Sequence, residues 1–183
     1  MSGTAYLLIT TAEGTLLNSG EPQPDPVRFT SVPFPGRPAL NTATTPFFSI
    51  LDWSSDVFAK VLAGTPMSTQ KVSFDPLSVS HGTGRPSVTL FADLCAGKRL
   101  KFVDLVVLNN FAGDDHPNEL HEAVGIGTVY LHKLNFSGGQ DMIVEHAAFE
   151  YGQMWIGYAK LDQYGQAGTF VTKGWDRVAD KAL

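Results

Sequence analysis

Only one cysteine, Cys95, occurs in the chain, so no intramolecular disulfide holds it together. Its place on an apolar helical stripe gives it the expected role of a small buried hydrophobe. Basic charge is also scarce. The net charge is −5, which leaves no basic footprint for nucleic acid. No basic amphipathic stretch suits a membrane surface, and no apolar run is long enough to span a bilayer. The N-terminus, Met1-Ser-Gly-Thr-Ala-Tyr-Leu-Leu-Ile-Thr10, lacks the basic n-region of a secretory signal, so any export is expected to use another route. Helical periodicity is nearly missing too. What remains is a mostly β pattern, with short apolar runs separated by Gly-rich turns. The length of 183 residues and a hydrophobic content of 43% suit one domain with a good core.

The organising stretch runs from Ser68 to Asn110. Lys71–Ser80 reads as a strand with Val72, Phe74, Leu77 and Val79 as apolar members and Pro76 as a bulge or edge marker. Pro86 then opens a helix over about 86–96, since a proline at the first helical position loses no hydrogen bond. Val88, Phe91, Ala92 and Cys95 fall on one face at i, i+3, i+4 and i+7, and this face is expected to be buried, with Leu90 and Leu94 widening it. Gly97 is a natural stop. Leu100–Leu108 resumes as a strand apolar enough to be buried on both faces.

Elsewhere, Tyr6–Thr10 is a strand, and Phe47–Trp53 is expected to be the next. Asp56–Ala63 reads as one or two helical turns ended by Gly64 and Pro66. Residues 109–122 read as a polar turn and 124–136 as a long strand. Ser137–Gln140 is a hairpin turn and Asp141–Ala159 its returning partner, with Gly152 a candidate bulge. Thr169–Thr172 is a last short strand before a polar, exposed tail from Gly174. Seven of the eleven prolines lie between residues 22 and 46, which forbids helix or central strand there. The interspersed Val27, Phe29, Val32, Phe34 and Leu40 predict an extended loop docked on another surface rather than a disordered linker.

Asp115, His116, Glu119 and His121 are the best candidate metal ligands, but the second histidine of a metalloprotease helix is missing and turn chemistry explains the cluster. Gly125-Ile-Gly127 lies inside a strand with no third glycine, so it marks a bulge or a close approach rather than a dinucleotide site. His132 and His146 lie on adjacent strands without a completing carboxylate or cysteine. Trp53, Trp155 and Trp175 are assigned to packing rather than to a sugar platform. The sequence therefore yields no catalytic, cofactor-binding or metal residue, and the chain is read as a non-enzyme without cofactors.

Several motifs together resemble a known family. Phe74-Asp-Pro-Leu-Ser-Val-Ser-His81, Arg85-Pro-Ser87 and Leu94-Cys-Ala-Gly-Lys98 are similar to the Hcp family, the tube proteins of bacterial type VI secretion. Ser49-Ile-Leu-Asp-Trp-Ser54, Phe149-Glu-Tyr151, Ile156-Gly-Tyr158, Asp162–Gly168 and Lys173-Gly-Trp-Asp176 follow in the family's order. The resemblance covers residues 4–11 and 48–176, and leaves 18–46 as an insertion in one Hcp-like domain over 1–183. It implies a compact β-barrel of two packed antiparallel sheets with one short helix. It also implies homohexameric rings that stack into a hollow tube driven by a contracting sheath. The implied partners are a spike protein at the tube tip, sheath and baseplate proteins, and effectors in the lumen. No nucleic acid and no membrane insertion are implied, and the protein would pass from the bacterial cytoplasm to the outside or a target cell. The alternatives are a tail-tube protein of a phage-like contractile particle, a β-sandwich ligand-binding module, and an enzyme built on residues 114–122.

Overall fold

A computed structural model describes residues 3–18, 30–41, 45–60, 71–109, 119–138 and 142–183. Eleven strands and one helix are found among them. They are β1 (Gly3–Thr11), β2 (Phe48–Ser49), β3 (Asp52–Ser54), β4 (Val57–Lys60), β5 (Lys71–Phe74), β6 (Leu77–Gly82), α1 (Arg85–Cys95), β7 (Arg99–Asn109), β8 (Glu119–Gly138), β9 (Ile143–Tyr158), β10 (Val171–Asp176) and β11 (Lys181–Ala182). Nine strands form one sheet, ordered β11-β10-β9-β8-β7-β1-β2, with β6 on β9 and β3 on β6; β4 and β5 form a separate pair.

The sheet is organised by β9. One edge pairs β8 along its whole length. The other edge changes partner midway, from β6 at residues 144–149 to β10 at 153–158. The branch falls beside Gly152, whose carbonyl accepts the Arg177 N–H at 2.8 Å. The sheet thereby folds over a core of Leu7, Ile9, Phe48, Leu77, Val79, Leu90, Val103, Ile126, Val129 and Phe149. Alternation puts Leu8, Val106 and Leu108 on the opposite face, and that face is buried as well, under Val32, Phe34 and Leu40. Burial on both faces is why Leu100–Leu108 is apolar on both sides, interrupted only by Lys101 and Asp104.

The proline-rich strap therefore lies, over residues 30–41, on the outer face of its own sheet. The Leu40 N–H donates to the Thr30 carbonyl at 2.8 Å and closes it into a loop. Val27 and Phe29 lie outside the described residues.

Several sequence expectations change. Asp56–Ala63 is not helical where described: Val57–Lys60 is an extended strand pairing Lys71–Phe74, because that partner satisfies its backbone groups. Phe47–Trp53 is two strands, since the chain leaves β1 after Ser49 and joins β6 at Asp52. Residues 119–122 extend β8 rather than forming a turn. The tail from Gly174 continues β10 and returns as β11. Residues 139–140 of the hairpin turn lie outside the described residues.

The helix keeps its place but not its face. The Gly84 N–H donates to Ser87 Oγ at 3.1 Å, and Pro86 occupies the first turn. Gly97, at φ 62°, ends it. Its buried residues are Pro86, Ser87, Leu90 and Asp93. Asp93 is anchored by Lys98 Nζ at 2.9 Å. Val88 and Phe91 instead face outward, at 73% and 54% exposure. Cys95 is exposed as well, so it is not a buried hydrophobe.

Candidate assembly surfaces

The polar candidates do not converge. Asp115 and His116 lie outside the described residues; Glu119 and His121 sit two apart on β8. Among the described residues, no three His, Cys, Asp or Glu side chains are placed to share a metal ion. His132 falls at the register shift between Leu131 and Lys133, while His146 pairs Asn135, so the two histidines do not face each other. His146 instead bridges two hydroxyls, Ser80 Oγ at Nδ1 (2.8 Å) and Ser137 Oγ at Nε2 (3.1 Å). Asp52 stands opposite Ser80 rather than beside the imidazole. A Ser–His–acid relay needs the carboxylate on the far ring nitrogen, and here a hydroxyl occupies it. The arrangement is a surface hydrogen-bond ladder across β6, β9 and β8.

Inside the strap lies the strongest electrostatic feature. Arg37 Nη2 and Nε donate to Asp104 Oδ1 at 2.8 and 3.0 Å, and Nε also reaches Oδ2 at 3.1 Å. The guanidinium carbon lies 4.0 Å from the Phe102 ring centre and 4.4 Å from that of Trp155. Phe34 stacks on Trp155 at 6.3 Å. Burial pushes the Asp104 carboxyl up to about 6, with Arg37 pulling the other way. Gly125 makes room for all of this. A Cβ there would lie 2.5 Å from Asp104 Oδ1 and from Phe34, and 2.7 Å from Arg37. The close approach read from Gly125-Ile-Gly127 is thus the seat of the strap.

Among the apolar surfaces exposed on the described residues, two are considered for assembly. The first is the outer face of α1, with Val88, Phe91, Ala92 and Cys95. The second is a groove of about 450 Å³ lined by Trp53, Val57, Val124, Met154, Ile156 and Tyr158, among others. It is the inner face of the sheet continuing beyond the core: Val124 pairs Ile156, and Ile126, in the core, pairs Met154. Ile156 and Tyr158 are 54% and 52% exposed. Trp53 is half-exposed on the groove wall, Trp155 is buried under the strap, and Trp175 is half-buried on β10.

No protein-family model matches the chain, and no curated protein matches it in sequence. Solved structures do match in shape. A type six secretion system protein superposes with a TM-score of 0.71 at 17% identity, over 100% of both chains. Hcp1 from Salmonella typhimurium gives 0.65 at 18% identity, again over 100% of both. The secreted protein Hcp3 from Pseudomonas aeruginosa gives 0.58 at 15% identity, over 96% of this chain and 98% of its own. Over its described residues the chain has an Hcp-like fold.

Proposed function

We propose that this protein is a structural tube protein of a type VI secretion system. Copies join in a homohexameric ring, rings stack into a hollow tube, and a contracting sheath propels the tube with its spike and effectors. The observation that carries this reading is superposition on a type six secretion system protein over 100% of both chains. The surfaces fit the role. Large apolar groups are exposed on the helix, at Val88 and Phe91, and in the groove, at Ile156 and Tyr158. A heterologous contact repeated about an axis closes into a ring and, repeated along it, grows a tube. On this reading the chain does no catalysis and leaves the cell as part of the tube; one structural neighbour is itself named a secreted protein.

Light scattering at micromolar concentration tests it. The expected mass is six times the 19.8 kDa of one chain. A single species of one chain's mass across that range would overturn the reading.

A further inference from the structure

One row of the outer sheet face forms a bed for a side chain. Register places Leu8, Asp104, Gly125, Trp155 and Gly174 next to one another across β1, β7, β8, β9 and β10. Asp104 is the one charge in that row, and it is buried. Gly125 and Gly174 flank Trp155 and leave its ring room to lie against the sheet; a Cβ at Gly174 would collide with the indole. Phe102, two residues from Asp104 on the same face, completes a carboxylate between two aromatic rings. The strap that covers this bed is held to it by side chains. Pro35 and Gly36, the latter at φ 74°, make a corner that presents Phe34 and Arg37 to the row. The Phe34 N–H donates to Val32 and the Leu40 N–H to Thr30, and among the described residues no backbone bond joins 31–40 to the sheet. Arg37 makes the strap's hydrogen bonds to the sheet, all of them to Asp104. The fit also leaves one donor unmet, because Trp155 Nε1 is buried without an acceptor. A paired strand would be locked by a ladder, whereas this segment can leave without breaking one.

We infer that this bed is a docking site for an arginine-bearing turn of a partner protein, and that the strap fills it as a displaceable plug. The partner's chemistry follows from the bed. A carboxylate buried among apolar groups demands a cation. Contact with both Phe102 and Trp155 demands that the cation be flat, and the bonds from Nε and Nη2 demand two nitrogens on one carboxylate. A guanidinium meets both demands and an ammonium meets neither. Phe34, stacked on Trp155, adds a large apolar side chain shortly before the arginine. A proline in the corner between them pre-sets the turn, so docking costs little backbone entropy. An occupant that also offers an acceptor to Trp155 Nε1 gains a bond that the strap does not make.

A fluorophore-labelled peptide with the sequence of residues 30–41 is the probe, and the full chain is its target. On the Arg37→Ala chain, whose own strap has lost its anchor, the peptide should bind saturably. The parent, whose strap fills the bed, should bind it at least about tenfold more weakly. Lysine in place of the peptide's arginine, or Asp104→Asn added to the chain, should each weaken binding by about tenfold or more. The parent gives a second readout that needs no destabilised variant. Excess peptide should raise hydrogen exchange over residues 30–41 as the strap is displaced, and the lysine peptide should not. If Arg37→Ala does not fold, this exchange measurement decides alone. Equal binding of the lysine peptide, indifference to Asp104→Asn, or a strap whose exchange is unchanged under excess peptide would each overturn the inference. So would straps exchanged between copies and released by the peptide, seen as a fall in mass by light scattering, since the bed would then belong to a second copy of this chain.

Discussion

At the scale of single residues, position on α1 decides cost. Leu90 is fully buried, so Leu90→Ala should destabilise the subunit by about 2–5 kcal/mol through lost burial and the cavity left behind. Phe91→Ala should leave the melting temperature of the isolated subunit nearly unchanged, because its ring is 54% exposed. Thermal denaturation of the two variants checks the assignment directly. Asp104 gives a pH prediction. Its carboxyl rises from 3.8 to about 6 on folding, so the folded state binds more protons than the unfolded chain between those values. The stability this group contributes is therefore full below about pH 3.8 and lost as pH rises through about 6. Melting temperatures should show the parent gaining on Asp104→Asn as pH falls from 7 to 4. A difference constant over that range would mean that Asp104 is not desolvated by the strap.

At the scale of elements, the strap and the sheet face beneath it are one unit. Arg37→Ala would leave the Asp104 carboxylate buried without its bidentate partner and should cost about 3–5 kcal/mol. Hydrogen exchange should then rise first over residues 30–41. The sequence shows half of this unit. Prolines forbid regular structure, and Val32, Phe34 and Leu40 demand cover, so docking was legible. The partner was not. Arg37 and Asp104 stand 67 residues apart, and no periodicity links them. Gly125 and Gly127 were legible as a close approach without saying what approaches.

Helix α1 was legible as an element and misread as a surface. Pro86, Leu90 and Leu94 form one apolar row, and Val88, Phe91 and Cys95 another. Periodicity reports that a row is apolar, not which body covers it. Only the fold shows that the first row meets its own core and the second meets solvent. The β4 segment failed for a different reason. Its Ala and Lys are good helix formers, but pairing with Lys71–Phe74 overrides that weak preference.

At the scale of the whole molecule, the fold was legible through the order of several moderate motifs, each weak alone. The strand that ends at His81, the helix that follows and the Gly-Trp-Asp ending at 174–176 occupy β6, α1 and β10. No such motif announces an assembly surface. A groove formed by Trp53, Val124 and Ile156 draws on strands distant in sequence, so it exists only after folding. The central claim is that copies of this chain build an open-centred ring. Electron microscopy of the purified protein tests it most directly. The account predicts round particles of uniform diameter with six-fold symmetry and a hollow centre, some of them stacked end to end. Featureless single-chain particles at micromolar concentration, or closed assemblies with a filled centre, would contradict it.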